Sequence, residues 1–487
     1  MKQTVNIIGS GFSSLAASCY LAQEGYSVTI FEKNKTIGGR ARQLKKDGFV
    51  FDIGPTWYWM PDVFERFFAD FNKKPSDYYT LEKLNPAYSV YFGKNDFITI
   101  EDTLEKIILA FEKEESGSSN KLKKFIKDAK DNYDVAIKDL VYNPGVSPLE
   151  LITPTTIKKI NQFFSTIKRD VRKEFKNERL IKILEFPVLF LGAKPSDTPS
   201  FYSFMNYADF GLGTFHPKKG MYQVILAMEN LARELGVTIK TNSPIDKIIV
   251  KNSVAKGIVS NGETYISDIV VSGADYHHTE TLLEKPYRQY SEKYWSKKIF
   301  APSSLLFYVG FNKKLKHVNH HTLFFDVDFE THAKAIYDNP KWPENPLFYA
   351  SFPSKTDSST APEGKEASIF LIPLAPGLED TQELREQYFE KIITRFENLT
   401  SQSVKNNIIF KESFCINDFI NDYNSYKGNA YGMANTLLQT AFLRPKLKSK
   451  KVSNLYFTGQ LTVPGPGVPP SLISGKLVAN LVSKHYS

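Results

Sequence analysis

The spacing of apolar residues changes several times along the chain, and each change predicts an element. Val5, Ile7 and Ile8 form a short apolar run of the kind that a parallel strand buried on both faces requires. Gly9-Ser10-Gly11 interrupts it. Leu15, Cys19 and Leu21–Ala22 then recur at helical spacing until Gly25, and Val28-Thr29-Ile30-Phe31 predicts a second strand. Residues 4–32 therefore read as the first βαβ unit of a doubly wound sheet.

Further along, residues 101–142 predict solvated amphipathic helices. Residues 156–194 are helical and basic, with Lys158, Lys159, Lys168, Arg169, Arg172 and Lys173 ahead of the apolar patch Leu184–Leu191. Such a pairing suits a membrane surface or a helix capping a domain. Met221 to Leu235 predicts a helix ended by Gly236. Strands are expected at Val237–Ile239, Ile245–Val250, Ala255–Ser260 and Ile269–Val271, with hairpin turns at Asn252-Ser253 and Asn261-Gly262. Residues 302–311 and 367–374 predict apolar strands, and 355–366 a polar loop. A last strand, Leu455 to Thr458, leads into a Gly/Pro loop and a helix from about Ser471 to Lys484.

A chain of 487 residues exceeds one ordinary core and suits two or three lobes. Hydrophobic residues at 42% and charged residues at 24% exclude disorder. The 37 Phe and 26 Tyr serve cores and ligand cavities alike. A net charge of +9 is mild for this length. It favours contact with an anionic membrane surface, and no basic run with interleaved aromatics points to nucleic acid. Cys19 and Cys415 allow no disulfide framework and no metal site, so buried free thiols and a reducing compartment are expected. Lys2 ahead of an apolar stretch imitates a signal peptide, but Val5 to Ile8 running into a glycine turn fits a strand better. No run reaches the roughly 18 apolar residues of a membrane-spanning helix, so a membrane role would be peripheral.

Three motifs carry the chemistry. Gly9-Ser10-Gly11-Phe12-Ser13-Ser14 lies between a strand and a helix, where Gly11 lets backbone approach a pyrophosphate at the helix N-terminus. Ser14 replaces a third glycine whose use is close helix–strand packing. Glu32, 32 − 11 = 21 residues after Gly11, is placed to accept hydrogen bonds from an adenosine ribose. Gly38-Gly39-Arg40-Ala41-Arg42 follows, and then Asp52-Ile53-Gly54-Pro55-Thr56. An NAD domain has no use for a Gly-Gly-Arg loop there, whereas FAD must extend past it. The segment Asn454 to Ser471 ends a strand at Gly459-Gln460, passes Pro464-Gly465-Pro466-Gly467-Val468, and begins a helix whose N-terminus suits the negative charge of a reduced flavin.

In this order the motifs resemble the bacterial phytoene desaturase family of carotenoid enzymes over nearly the whole chain. Pro217-Lys218-Lys219-Gly220-Met221 resembles that family's Pro-x-Gly-Gly-Met, with Lys219 in place of a glycine, and Ser243-Pro244-Ile245 resembles a strand that meets adenine in related flavoproteins. Departures at Gln460, Leu461, Val463 and Pro466 suggest a branch such as the 3,4-desaturases of hydroxylated or monocyclic carotenoids. The resemblance implies an α/β fold: a Rossmann-type FAD domain of the GR2-like flavoproteins, with a second α+β substrate domain holding a mixed sheet and a helical cap. The expected division is 1–85, 216–285 and 425–487 for the FAD domain, and 86–215 and 286–424 for the substrate domain. Hydride would pass from an allylic carbon to flavin N5, with a proton lost from the adjacent carbon. Expected FAD contacts are Gly9, Gly11, Phe12, Ser13, Glu32, Lys33, Gly39, Arg40, Gly54, Pro55, Thr56, Ile245, Gly459, Gln460, Gly467 and Val468.

A carotenoid is the expected substrate and oxygen or a quinone the electron acceptor, with the protein cytoplasmic and peripherally associated with the inner face of the membrane. Candidate tunnel linings are Phe163–Phe164, Phe201–Phe215, Leu305–Phe311 and Phe348–Phe352. Asp275, in Asp275-Tyr276-His277-His278, is a weak catalytic candidate. His317, His320 and His321 read as a polar loop rather than a metal site. Phytoene desaturation proper, carotenoid isomerisation and flavin amine oxidation remain as other readings.

Overall fold

The structure is a computed structural model that describes residues 3–486, with Asp139 described by its backbone alone. Met1 and Lys2, where the signal-like start begins, lie outside the described residues. Five short parallel strands form one sheet in the order Leu455–Phe457, Ile269–Ser272, Thr4–Ile8, Ser27–Phe31 and Thr238–Lys240. Val5, at its centre, pairs with Val28 on one side and Ile269 on the other. The first helix, Phe12–Gln23, is buried over almost its whole length, between helix Tyr222–Glu234 and the final helix Val468–Tyr486. That final helix starts three residues ahead of the expected Ser471, because Pro469 and Pro470 fit its first turn, where no N–H is needed.

Ser14 has a physical explanation. A Cβ built on Gly273, at the end of the neighbouring strand, would stand 2.0 Å from Ser14 Oγ. The glycine missing from the helix is thus supplied by the strand it packs against.

The hairpin turns at Asn252-Ser253 and Asn261-Gly262 form as expected, with left-handed φ at Asn252, Ser253, Asn261 and Gly262. They join a three-stranded antiparallel flap whose third strand, Glu263–Ile266, was not foreseen from its polar sequence.

The second sheet has seven strands in the order Ile408–Phe414, Ser303–Phe311, Glu366–Leu374, Phe348–Ser351, His321–Phe324, Tyr88–Gly93 and Asp96–Ile100. It is mixed, because His321–Phe324 and Tyr88–Gly93 run parallel. Alternation sorts its side chains. Leu305, Phe307, Val309 and Phe311 pack with Phe389, Ile392 and Phe396 of helix Gln382–Thr400. Leu306 and Tyr308 face the opposite side. Helices Leu104–Glu114, Ser118–Val135, Ile167–Glu174 and Glu178–Glu185 build the cap. One expectation is corrected here. His320 and His321 are not in a polar loop: His321 opens a strand, and both side chains are buried.

Candidate functional site: a cavity between the two sheets

One cavity of about 910 Å³ runs from the ends of the parallel strands to the mixed sheet and the cap. Every expected FAD contact lies on its wall, from Gly9, Gly11, Phe12 and Ser13 to Glu32, Lys33, Gly39 and Arg40. Gly54, Pro55, Thr56 and Ile245 follow, and then Gly459, Gln460, Gly467 and Val468.

At the nucleotide end, Glu32 is buried at the tip of its strand. Its Oε2 accepts from Ser10 N (3.0 Å) and Ser10 Oγ (2.6 Å), and its Oε1 accepts from Asn34 N (2.8 Å). These bonds fix the glycine turn against the second strand. Lys33 Nζ donates to Asn421 O and Asn424 Oδ1, so it ties the turn to the 416–424 helical segment. Gly39 sits against the turn itself: a Cβ there would lie 3.3 Å from Gly11 Cα. A Cβ on Gly11 would meet no atom within 4 Å and would project into the open cavity. Asp275 is also on the wall at this end. Its two carboxylate oxygens accept from His278 N and Tyr426 N, and it caps the helix Tyr276–Thr281, so burial and capping occupy it. Burial raises its pKa, opposed by Arg40 nearby.

Arg40 reaches along the cavity wall. Its Nη2 donates to Ser425 Oγ (3.0 Å) and Asn429 O (3.3 Å), while Nε is buried with no protein partner. With its amide oriented to satisfy its neighbours, Gln460 accepts from Arg40 Nη2 (3.0 Å) and Gly432 N (3.3 Å). The C-terminal loop is organised by Arg444, which is 2% exposed. It donates to five oxygens: Met433 O, Asn435 Oδ1, Gln439 O, Gln460 O and Thr462 O. Sequence reading missed it, because it stands just ahead of Lys446, Lys448, Lys450 and Lys451, which read as a solvated basic run. Asp52 was likewise read only as part of a path. It accepts from Met221 N (2.7 Å) and Tyr222 N (3.3 Å), pinning Pro217–Met221 to the hairpin that carries Gly54. Burial pushes its pKa up to about 6.

The residues fit FAD. An open glycine turn faces a helix N-terminus with no acidic residue in its first turn, and a buried arginine has an unpartnered N–H. Both features suit a diphosphate.

The rest of the cavity is mainly aromatic and aliphatic. Of the candidate linings, Phe163, Phe201, Phe204, Leu306, Phe348 and Tyr349 are on the wall. Phe164 points to solvent, and Phe210, Phe307, Phe311 and Phe352 belong to packed cores away from it. Trp57, Trp59, Phe186 and Phe190 were not foreseen as lining; they interlock with ring centroids 4.9–6.2 Å apart. Trp57 and Trp59 directly follow Gly54-Pro55-Thr56, and that adjacency was the available signal.

Comparison with known proteins agrees with this geometry. The model of the flavin containing amine oxidoreductase family matches residues 12–483. A carotenoid 3,4-desaturase of Haloarcula japonica is 38% identical over 98% of this chain and 97% of its own. A zeta-carotene-forming phytoene desaturase of Myxococcus xanthus is 30% identical over 97% and 92%. An oxidoreductase of Methanosarcina mazei shares the fold, with a TM-score of 0.64 at 16% identity over 98% of this chain and 100% of its own. The chain belongs to the flavin-containing amine oxidoreductases and, within them, to the FAD-dependent carotenoid desaturases.

Proposed function

We propose that this protein introduces a double bond at carbons 3,4 of a hydroxylated or monocyclic carotenoid. The observation that carries the reading is the cavity: a nucleotide end lined by glycine turns continues into a long aromatic wall. The carboxylates on that wall are all engaged. Glu32 holds Ser10, Asp275 caps a helix, Asp422 pairs with Arg42, and Glu150 accepts from Gly145, Val146 and Ser147. Among the described residues of the wall no carboxylate is left without a partner, which weighs against amine oxidation, whereas a hydrocarbon gains about 0.8 kcal/mol per buried CH₂.

FAD supplies the hydride acceptor when bound. The protein holds it through Gly9, Gly11, Phe12, Ser13, Glu32, Lys33, Gly39, Arg40, Gly54, Pro55, Thr56, Ile245, Gly459, Gln460, Gly467 and Val468, with residues 1–85, 216–285 and 425–487 as its FAD domain. The aromatic wall orients the polyene and excludes water, which is the larger part of such catalysis. Oxygen or a quinone is the final acceptor.

The substrate enters from a membrane. No helix among the described residues is long and apolar enough to cross one. Instead, Leu149 (70% exposed), Phe164 (76%) and Leu438 (76%) project to solvent beside the lining residues Gly145, Leu151, Leu437 and Leu443. Lys158 and Arg169 are exposed on the same segment. An apolar rim with basic neighbours at a cavity mouth suits the interface of an anionic bilayer, here its inner face.

Expression in cells making different carotene precursors, followed by pigment mass analysis, tests the function: loss of two hydrogens supports it, and an unchanged mass refutes it. Flotation with anionic liposomes tests the rim, and a protein that stays wholly unbound refutes that part.

A further inference from the structure

Desaturation releases a proton as well as a hydride, and that proton needs an acceptor on the cavity wall. Tyr349 is on that wall. Its Oη stands 2.6 Å from His321 Nδ1 and 2.9 Å from Thr56 Oγ1. His321 is fully buried behind it, stacked on Trp57 at 4.0 Å with an interplanar angle of 11°. His321 Nε2 has no partner, so the ring's one engaged nitrogen is the one facing Tyr349.

The cluster continues inward. The His321 and His320 rings are 4.5 Å apart, and His320 and His216 are 4.6 Å apart. His216 Nε2 lies 3.4 Å from Asp357 Oδ2. Asp357 Oδ1 accepts from the exposed Ser359. A second cavity of about 10 Å³, close to the size of one water, is walled by Thr56, His216, His320 and Ser351. Thr56 therefore borders both cavities.

We propose that Tyr349 is the catalytic proton acceptor of the desaturation, positioned by His321, and that Thr56 and the small cavity carry the proton out toward His216 and Asp357. This rests on the desaturase reading. Once hydride has left one carbon for the bound FAD, the neighbouring C–H bond breaks. Its electron pair becomes the new π bond, and its proton binds Tyr349 Oη as the phenol's own proton passes to His321 Nδ1. The products are a neutral polyene and an imidazolium, whose charge the Trp57 face stabilises. The proton then returns through Tyr349 Oη to Thr56 Oγ1 and crosses the small cavity to His216, whose Nε2 lies beside the Asp357 carboxylate. Burial keeps His320 and His321 well below the ordinary histidine range, so both wait neutral. Against burial, hydrogen bonding from His216, Ser359 and Lys219 N holds Asp357 below the ordinary carboxylate range, so it stays ionised beside His216. A weak base suffices, because a proton beside an electron-deficient allylic centre is strongly acidic.

The test compares FAD-loaded wild type with Tyr349→Phe, which keeps the ring and its packing. Bound flavin and the spectral shift of bound carotenoid should be unchanged. Turnover should fall roughly 10²-fold or more. The solvent deuterium isotope effect on anaerobic formation of the new double bond should disappear, and Thr56→Val should slow turnover less. Equal rate and equal isotope effect in Tyr349→Phe, beside a wild type that makes the double bond, overturn the proposal alone. Loss of rate accompanied by loss of flavin or carotenoid binding makes the role structural and overturns it too. A wild type that makes no double bond overturns the desaturase reading and this proposal together.

Discussion

The two ends of the cavity are built by different means. The nucleotide end is backbone: glycine turns, a helix N-terminus and short polar side chains such as Ser10 and Glu32, drawn from short stretches of sequence. The aromatic end is side chains: Trp57 meets His321 and Tyr349 from a strand pair nearly three hundred residues away. A ligand fixed in shape is held by fixed backbone, while a long hydrocarbon is held by area. The first end should therefore fail abruptly when altered, and the second by degrees.

The largest effect should come from Gly11→Val. Gly11 has an ordinary φ of −73°, so the fold tolerates a side chain that fills the open cavity. Overpacking costs roughly 1–3 kcal/mol, or about 5- to 150-fold in FAD affinity and more if the turn cannot yield. The protein should purify folded and colourless; a yellow, fully loaded variant would show that the turn does not face the cofactor. Arg444→Ala comes next. It strips five oxygens of their donor, and a loss of roughly 3–5 kcal/mol is expected. Denaturant unfolding of the apoprotein measures it, and a change under 1 kcal/mol would show that the loop holds itself.

Gly273→Ala should cost about 1–3 kcal/mol, since its Cβ would strike Ser14 Oγ, and Ser14→Gly in the same chain should recover most of that. Additive losses would mean that the two positions do not touch. The smallest effect concerns Asp52. Its folded pKa of about 6 lies above its unfolded value of 3.8. The stability it adds is complete below pH 3.8 and is lost as pH rises through 6. The melting temperature should fall by a few degrees across that window, and Asp52→Asn should flatten the fall.

The same contrast explains what the sequence reveals. Gly9, Gly11, Glu32 and Gly39 are legible because their spacing along the chain is their spacing in space, and so are the strands and the helix around them. Tyr349 and His321 carry no local mark. His321 resembles a polar residue until Trp57 covers it, and the pairing of the two strands that brings His321 opposite Ser351 is a tertiary fact. Arg444 was hidden by Lys446, Lys448, Lys450 and Lys451 around it. Phe164 shows the opposite failure: an aromatic beside a lining residue that points outward.

The strand Leu455–Phe457 and the helix after it bear on how the protein is made. Of the sheet's strands, Thr4–Ile8 is synthesised ahead of the others, yet its neighbour Ile269–Ser272 follows more than 260 residues later, and the edge strand with the helix behind it later still. The glycine turn thus exists long before Gly459, Gln460 and Gly467 reach it. Cofactor uptake becomes a late event in biogenesis, so a prematurely terminated chain would carry the whole nucleotide motif and still be born without colour.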